Sequence, residues 1–307
     1  MRCKIFLLSY QGYFSIAKRI KTQENGKIKS TVITRNNTTT MHILVTLNKG
    51  YLIHFYVMLT SLLYNTSNAI TVYVMHDDLT SIEEREIRKR FPTVTFSFIF
   101  MDKSFCDGFP TTKRYPYTVY YRIFAPLFLP ETLERVLYLD CDLIVHNSID
   151  SFYNTDFAGN LLVACSHIGA FLRFFNQIRL GGKRTYVYMN TGVLLMNLPF
   201  LRKVLDVERI KAYTLRYKRK LILFDQDILY AFFGNRVLQK NALIYNLSDR
   251  QMLWHNRFHR KKITSQWVRD NNVIVHCIGR NKPWKIGYKG ILDVYYHQYA
   301  KRANNTQ

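Results

Sequence analysis

From Met41 onward, short apolar runs alternate with segments in which apolar residues recur every three or four positions. The runs HILVTL, ITVYVM and TVTFSFIF predict three strands. Between them, YLIHFYVMLTSLLYNT has the apolar spacing of a helix, and TSIEEREIRKRF opens with the capping-box spacing of Thr80 and Glu83. This alternation predicts an α/β fold with helices on both faces of a parallel sheet, in which ligands bind at the carboxyl ends of the strands.

The remaining pattern extends this arrangement along the chain. RVLYL predicts a fourth strand that ends just before Asp140, and NLLVAC and TGVLLMN predict two more. Residues 201–220 predict one basic helix, and FDQDILYAFFG predicts a short helix with acids in its first turn. NNVIVHCIG predicts a late strand ending at His276, which emerges at the same sheet edge as Asp140 if that strand is parallel to the first.

Domain boundaries follow from where this pattern begins and ends. Residues 41–300 are predicted to form a single catalytic domain, followed by a tail over residues 301–307. Residues 1–40 show no clear period and carry eight basic residues against one acid. We interpret them as a poorly ordered basic extension, as the product of a misplaced translation start, or as a basic arm that contacts membranes.

Composition adds further expectations. Five cysteines without metal-ligand spacing predict reduced, mostly buried thiols in a cytosolic protein. No apolar run reaches the length of a membrane span, and the first residues do not have the pattern of a cleaved signal peptide. The net charge of +23 favours nucleic acid, an anionic membrane face or a phosphate-rich substrate as partner. A basic surface that is simply solvated explains the charge as well.

The stretch RVLYLDCDLIVHNSID places two carboxylates, Asp140 and Asp142, at the end of the fourth predicted strand. Residues i and i+2 of a strand point to the same side, and two buried carboxylates are costly unless a cation joins them. Taken alone, this spacing is common, and it is also explained by aspartates that cap the following turn. His276, by itself an ordinary core histidine, adds an imidazole, and the three groups together favour Mn²⁺ over Mg²⁺.

Four segments occur in one order along the chain: YLDCDLIV, YMNTGVLLMN, FDQDIL and HCIGRNKPW. In order and spacing they resemble the motifs of family 8 glycosyltransferases, over residues 41 to about 300. The resemblance implies a GT-A fold with a mostly parallel, Rossmann-like central sheet flanked by helices. It also implies transfer of glucose or galactose from a UDP-sugar, with retention of configuration, to a saccharide, lipid-linked or glycoprotein acceptor.

The resemblance implies roles for individual residues. Asp140, Asp142 and His276 match the ligands of Mn²⁺, for which Mg²⁺ is a substitute, and this metal bridges the donor diphosphate. Gln226 matches the amide nearest the reaction centre, which supports an oxocarbenium-like sugar, and Asp225 is the alternative nucleophile. The residues implied in donor binding are Asn48 and Tyr51 at the uridine, Gly279 and Lys282 at the diphosphate, Arg122 near phosphate and sugar, Asn190, Asp225 and Gln226 at the sugar hydroxyls, and Asp140 and Cys141 beside the nucleotide.

Some positions depart from the family pattern. Asn48 and Lys49 stand where the family often has aspartates, and His167 stands where it usually has an acid that contacts the donor or acceptor sugar. The departure at His167 predicts an altered choice of sugar or acceptor, or reduced activity, whereas Asn48 can still hydrogen-bond the edge of a uracil. Residues 168–186 contain basic and aromatic residues and the pair Gly181-Gly182, and they predict a mobile lid over the donor.

Two other functions fit parts of the sequence. A metal-dependent nucleic-acid enzyme would use Asp140, Asp142 and the basic segments 201–220 and 257–262, but it needs further acids near the pair. A non-catalytic sugar-nucleotide binder is favoured only by Asn48 and His167. The intact metal residues and Gln226 favour an active transferase without a specific nucleic-acid partner. We expect it in the cytoplasm, with the anionic inner face of the cell membrane as a further partner.

Overall fold

The computed structural model describes residues 5–10, 13–24, 27–35 and 40–305, with side chains from Thr40 onward. The chain divides into two units, Met1–Thr40 and Met41–Gln307. In the first unit, β1 (Ile5–Tyr10), β2 (Tyr13–Glu24) and β3 (Lys27–Arg35) form an antiparallel sheet in that order. The domain organisation and the poor order predicted for residues 1–40 stay predictions.

The second unit alternates strands and helices. Its strands are β4 (Met41–Thr46), β5 (Ile70–His76), β6 (Thr95–Phe100), β7 (Arg135–Leu139), β8 (Leu143–Val145), β9 (Leu162–Cys165), β10 (Asn190–Asn197), β11 (Val237–Lys240) and β12 (Ile274–His276). Its α-helices are α1 (Leu52–Tyr64), α2 (Ser81–Arg90), α3 (Thr118–Phe128), α4 (Asp150–Tyr153), α5 (Ala170–Leu180), α6 (Leu198–Val204), α7 (Val207–Tyr217), α8 (Phe224–Phe233), α9 (Ala242–Tyr245), α10 (Asp249–Phe258), α11 (Ser265–Asn271) and α12 (Asp293–Asn304). Each predicted strand is present, and the capping box of Thr80 and Glu83 begins α2 as predicted.

Seven strands form the central sheet, in the order β11-β9-β10-β7-β4-β5-β6. The neighbours β7, β4, β5 and β6 are parallel, as are β11 and β9, whereas β10 is antiparallel to both of its neighbours. The sheet is therefore mostly parallel, as predicted, with one reversed strand beside β7. β10 pairs with β7, which ends at Leu139 just before Asp140. The first residues of β10 therefore lie at the sheet edge where Asp140 and Asp142 are found.

Both faces of this sheet are covered, which explains why its strands are apolar throughout. Along β4, Leu44 packs into one hydrophobic cluster, whereas Ile43 and Val45 pack into another. Successive side chains of a strand point to opposite faces, so each face needs its own cover of helices. A third cluster, which includes Val275 and Tyr299, joins β12 to α12.

Two predicted elements differ in the structure. Residues 201–220 do not form one helix, because Asp206 begins a new one: its side chain accepts a hydrogen bond from the amide of Arg209 at 3.0 Å. The late strand, β12, is not part of the central sheet, so it does not join the first strand there as a parallel strand. It pairs antiparallel with β8, and His276 lies opposite Leu143 in the register.

The structure also describes the cysteines, the last helix of the domain and the lengths of the helices. The described cysteines are buried free thiols, namely Cys106, Cys141, Cys165 and Cys277, whereas Cys3 lies outside the described residues. α12 continues through Asn304, so the domain boundary predicted at residue 300 falls inside this helix. Within the described part of the chain, every helix is too short or too polar to cross a membrane.

Candidate active site

The turn after β7 delivers Asp140 and Asp142 to the edge of the central sheet. The amide of Asp140 donates to the carbonyl oxygen of Gly192 at 2.9 Å, and the amide of Cys277 donates to the carbonyl oxygen of Asp142 at 3.0 Å. The turn is thus fixed between β10 and the β8–β12 pair. Cys141 between the two acids is buried, and burial holds the pKa of its thiol well above the usual range. It is a protonated core residue.

Asp140, Asp142 and His276 come together although they lie on different elements. His276 Nε2 lies 3.0 Å from Asp142 Oδ1 and 3.6 Å from Asp140 Oδ2. One potential ligand atom of each residue lies within 4.8 Å of the others. The antiparallel register explains this meeting, because His276 pairs with the residue that directly follows Asp142.

The orientation of His276 suits a metal ligand. Its Nδ1 lies 2.8 Å from Asn246 Oδ1, so this nitrogen donates its proton to the amide oxygen, and Nε2 is the ring atom that faces the carboxylates. Asn246 is fully buried and donates to Asn190 Oδ1 at 2.9 Å. Two carboxylates and an imidazole turned in this way fit a divalent cation. No local sequence pattern marked Asn246, which the sequence analysis missed.

Gly192 has no side chain, and the cluster occupies the space that a side chain at this position would need. In the sequence, Gly192 could be noticed as a glycine inside an otherwise apolar strand. A Cβ at this position would overlap His276 Cε1 and lie 2.5 Å from Asp140 Oδ2. We expect Gly192→Ala to displace both ligands and to weaken Mn²⁺ binding by about ten- to a hundredfold, as measured by calorimetric titration. Gly169→Ala is the control, since its Cβ would meet nothing within 4 Å. Equal Mn²⁺ affinity in Gly192→Ala and the wild type would contradict this account.

Two buried cations face the carboxylates. The Arg122 guanidinium lies 3.0 Å from Asp140 Oδ1 and 3.5 Å from Asp225 Oδ2. Lys282 Nζ pairs with the Asp142 carboxylate and donates to the carbonyl oxygen of Cys277 at 2.7 Å. Arg122 and Lys282 are only 6% and 8% exposed, so neither is the surface cation that its residue type alone would indicate.

These contacts set the charges of the site. Burial acts to raise the pKa of Asp142, but Lys282 and His276 outweigh it and hold this pKa well below its usual range. Asp225 behaves differently: burial raises its pKa to about 6, although Arg122 and a 2.8 Å hydrogen bond from Thr191 Oγ1 act to lower it. Asp142 is therefore anionic at neutral pH, and the Asp225 carboxylate is fixed in place by two partners.

Asp225 and Gln226 lie in the first turn of α8, and Arg122 contacts both Asp225 and Asp140. Asp225 is buried and contacts Arg122 and Thr191. Gln226, the next residue, is half-buried. Phe224, which begins the helix, has a φ of +36°, a left-handed value that is uncommon for a residue with a side chain. Such strain persists only where surrounding contacts hold it.

Asp227, the second aspartate of FDQD, supplies those contacts. Its Oδ2 accepts hydrogen bonds from the amides of Ile222 at 2.6 Å and Leu223 at 3.1 Å, directly before the strained residue. Arg179 of α5 donates to both of its oxygens at 2.7 Å, and the Tyr188 hydroxyl donates at 2.6 Å. Sequence reasoning treated Asp227 only as a first-turn acid. The structure shows it as the anchor of the segment that carries Asp225 and Gln226.

The residues expected at the uridine lie after β4. Asn48 is half-buried and lines a cavity of about 260 Å³ together with Asp77 and Asp78. The amide of Lys49 donates to Asp78 Oδ1 at 3.0 Å, so acids from the end of β5 border the turn in which the family often has its own. Tyr51, 38% exposed, contacts the His54 ring edge-on.

An aromatic group connects this turn to the HCIGRNKPW segment. Tyr51 packs edge-to-face on His54 with ring centroids 5.5 Å apart, and His54 stacks on Trp284 at 3.7 Å. Burial lowers the pKa of His54 to about 4, so its ring is neutral at physiological pH. Gly279, in the same segment, has a φ of +101°, which requires glycine.

The structure also describes His167 and the adjacent segment 168–186, which was predicted to form a lid. Burial lowers the pKa of His167 to about 4, and in the described part of the chain its Nε2 is buried without a hydrogen-bond partner. Residues 168–186 contain a helix, α5, whose end is tied to α8 by Arg179. Motion of this segment stays a prediction.

Comparison with known proteins identifies the class. Residues 42–286 match the family model described as Glycosyl transferase family 8, so the chain belongs to that family, as its four motifs predicted. The galactosyltransferase LgtC, solved in complex with donor and acceptor sugar analogs, matches 85% of this chain and 96% of that chain, with a TM-score of 0.73 and 22% identity. This likeness confirms the GT-A fold.

Two curated relatives are glycosyltransferases by name. Glycosyltransferase GlyA of Streptococcus pneumoniae is 26% identical over 243 residues, which are 79% of this chain and 32% of GlyA. Lipopolysaccharide 1,3-galactosyltransferase of Salmonella typhimurium is 24% identical over 238 residues, which are 73% of this chain and 66% of that enzyme. The matched regions thus span about a third of GlyA and about two thirds of the second relative. Family and fold together define a glycosyltransferase.

Proposed function

We propose that this chain is a retaining hexosyltransferase that moves glucose or galactose from a UDP-sugar to a saccharide, lipid-linked or glycoprotein acceptor. The process it would serve is the synthesis of bacterial surface polysaccharide or glycoconjugates. The observation that carries the proposal is the Asp140, Asp142 and His276 cluster with the buried cations Arg122 and Lys282 beside it. A divalent cation in this cluster, together with the two buried cations, would supply the positive charge that a diphosphate leaving group needs.

The leaving-group side uses the acids and cations. Asp140, Asp142 and His276 would hold a divalent metal, Mn²⁺ in this proposal with Mg²⁺ as its substitute, which supplies Lewis-acid stabilisation of a diphosphate. Lys282 already lies against Asp142 and would neutralise charge on a diphosphate oxygen in the same place. Gly279 has no side chain and a positive φ, so its backbone allows close approach of the phosphates.

The sugar side uses Asn190, Asp225 and Gln226. The side-chain oxygen of Asn190 already accepts from Asn246, which leaves its NH₂ group for a sugar hydroxyl. Asp225 is held by Arg122 and Thr191, which suits a fixed acceptor for a hydroxyl better than a nucleophile that must move. The amide oxygen of Gln226 would support the developing positive charge at C1 of the sugar.

Bond changes are then confined to one face of the sugar. The bond between C1 and the phosphate oxygen breaks, the acceptor oxygen bonds to C1 from that same face, and the acceptor proton passes to the departing phosphate. The configuration at C1 is retained without a covalent intermediate on the chain. Asp77 and Asp78 would border the uridine beside Asn48.

The test is a screen for UDP release over a set of UDP-sugars with Mn²⁺. We expect release with UDP-glucose or UDP-galactose, and an α-linked product by NMR. Gln226→Ala should lower kcat by about a hundredfold or more, with donor affinity nearly unchanged, because it acts on the transition state. Gln298→Ala, an exposed glutamine of α12, is the control. No Mn²⁺-dependent UDP release with any UDP-sugar would refute the proposal.

A further inference from the structure

The proposed transfer gives no role to a basic and aromatic surface on α10. α10 exposes Leu253, Trp254 and Phe258 by 63%, 57% and 63%. The rings of Trp254 and Phe258 stack with centroids 5.2 Å apart. Apolar side chains scattered singly over a surface need no explanation, but a cluster of three on one short helix is typical of an interaction site.

Cations surround these rings. Residues 249–291 contain ten lysines and arginines against two aspartates, and nine of the ten cations are exposed, Lys282 being the buried one. Asp249 is already engaged, because its Oδ1 accepts from the amide of Ile291 at 2.8 Å and its Oδ2 from the Tyr288 hydroxyl. Within residues 249–291, the exposed cations outnumber the two aspartates, so this surface carries a net positive charge.

α10 and the diphosphate segment form one surface, which we call the α10 face. A cavity of about 340 Å³ lies between them. Its lining includes Arg250, Leu253 and Trp254 from α10, and Gly279, Arg280 and Lys289 from the other side. The exposed rings and cations thus border the segment that carries Gly279 and Lys282, at the leaving-group end of the site.

We propose that the α10 face docks on an anionic phospholipid bilayer. Trp254 and Phe258 would enter the headgroup region, where aromatic rings with an apolar body are favoured, and the cations would lie against lipid phosphates. Two attractions of this kind are needed together, because a short apolar face alone binds a bilayer weakly. The excess of cations selects an anionic lipid surface over a neutral one.

Docking in this orientation turns the leaving-group end of the site towards the bilayer. An acceptor sugar attached to a lipid would then meet the donor without leaving the membrane surface. Of the three acceptor classes, this geometry favours the lipid-linked one, a step that rests on the proposed function. The docking itself does not rest on it.

The test measures flotation of the full chain with vesicles of phosphatidylcholine, with and without phosphatidylglycerol. We expect binding only to the anionic vesicles, falling as salt rises. Trp254→Ser with Phe258→Ser should lower the partition coefficient by at least about tenfold, because it removes the inserted rings. Arg257→Gln with Arg260→Gln and Lys261→Gln should lower it by a similar factor, because it removes three charges.

Matched controls remove the same features elsewhere. Ile82→Ser with Phe100→Ser removes two side chains that are 61% and 65% exposed. Arg216→Gln with Lys218→Gln and Arg219→Gln removes three exposed charges near the end of α7. Both control variants should float like the wild type. If either loses as much binding as its α10 counterpart, the assignment to the α10 face is overturned.

Two further outcomes would also overturn the proposal. One is flotation of the wild type that is equal with neutral and anionic vesicles. The other is tight, salt-sensitive binding of a single-stranded oligonucleotide that the α10 variants lose while vesicle binding is unchanged. UDP release in the absence of vesicles separates the two proposals, since it should be normal in the α10 variants. A wild type that floats but releases no UDP would refute the transferase and leave the docking intact.

Discussion

Asp142→Ala is expected to lower Mn²⁺-dependent kcat/KM for UDP release by at least about a thousandfold, because it removes one proposed metal ligand and the carboxylate that contacts His276 and Lys282. In the structure, Asp142 Oδ1 lies 3.0 Å from His276 Nε2, and its other oxygen pairs with Lys282. Without this carboxylate, the proposed ligand set is reduced to one acid and one imidazole. The measurement is UDP release as a function of Mn²⁺ concentration, together with the rise in melting temperature that Mn²⁺ produces.

The controls separate lost ligation from lost folding. Asp142→Ala leaves the buried Lys282 ammonium without its carboxylate, so the metal-free variant should also be less stable. Adding Lys282→Met should recover part of that stability but none of the Mn²⁺ response. Asp156→Ala removes an exposed carboxylate and should behave like the wild type. Wild-type Mn²⁺ stimulation in Asp142→Ala would show that the metal residues are wrongly assigned.

Asp227→Ala is expected to lower the free energy of unfolding by about 3–5 kcal/mol, because it strips a buried charge of its partner. The Arg179 guanidinium would lose both of its 2.7 Å contacts, and the amides of Ile222 and Leu223 would lose their acceptor. Since those amides directly precede Phe224, the segment carrying Gln226 should also lose its fixed position. We therefore expect kcat to fall by about tenfold or more even at temperatures where the variant is folded.

Arg179→Met distinguishes anchoring from simple charge pairing. It leaves Asp227 with the Tyr188 hydroxyl and the two amides, so stability should fall while kcat stays close to the wild-type value. Asp206→Ala, which removes the cap of α7, should cost about 1 kcal/mol and leave kcat unchanged. Chemical denaturation and steady-state kinetics measure the two quantities. A wild-type kcat in folded Asp227→Ala would remove Asp227 from any positioning role.

Local features of the sequence determined much of the fold. The strand and helix pattern from Met41 placed the parallel strands β4, β5, β6 and β7 correctly, because periods of two and 3.6 residues act over a few neighbours. The helix boundary at Asp206 was missed because one capping side chain outweighs a continuous run of helix-forming residues. The order of the four motifs was enough to predict family 8, which the family model confirms.

Only the tertiary structure decided how the site is assembled. Asp142 meets His276 across 134 positions and Lys282 across 140, through an antiparallel β8–β12 pair that the sequence did not reveal. Likewise, only the structure shows that Lys282 is buried and that it pairs with Asp142. The reason is physical: sequence spacing predicts contacts within one element, whereas pairing between distant strands is chosen by the packing of the whole domain. The sequence by itself determined which chemical groups are present, and the fold decided which of them meet.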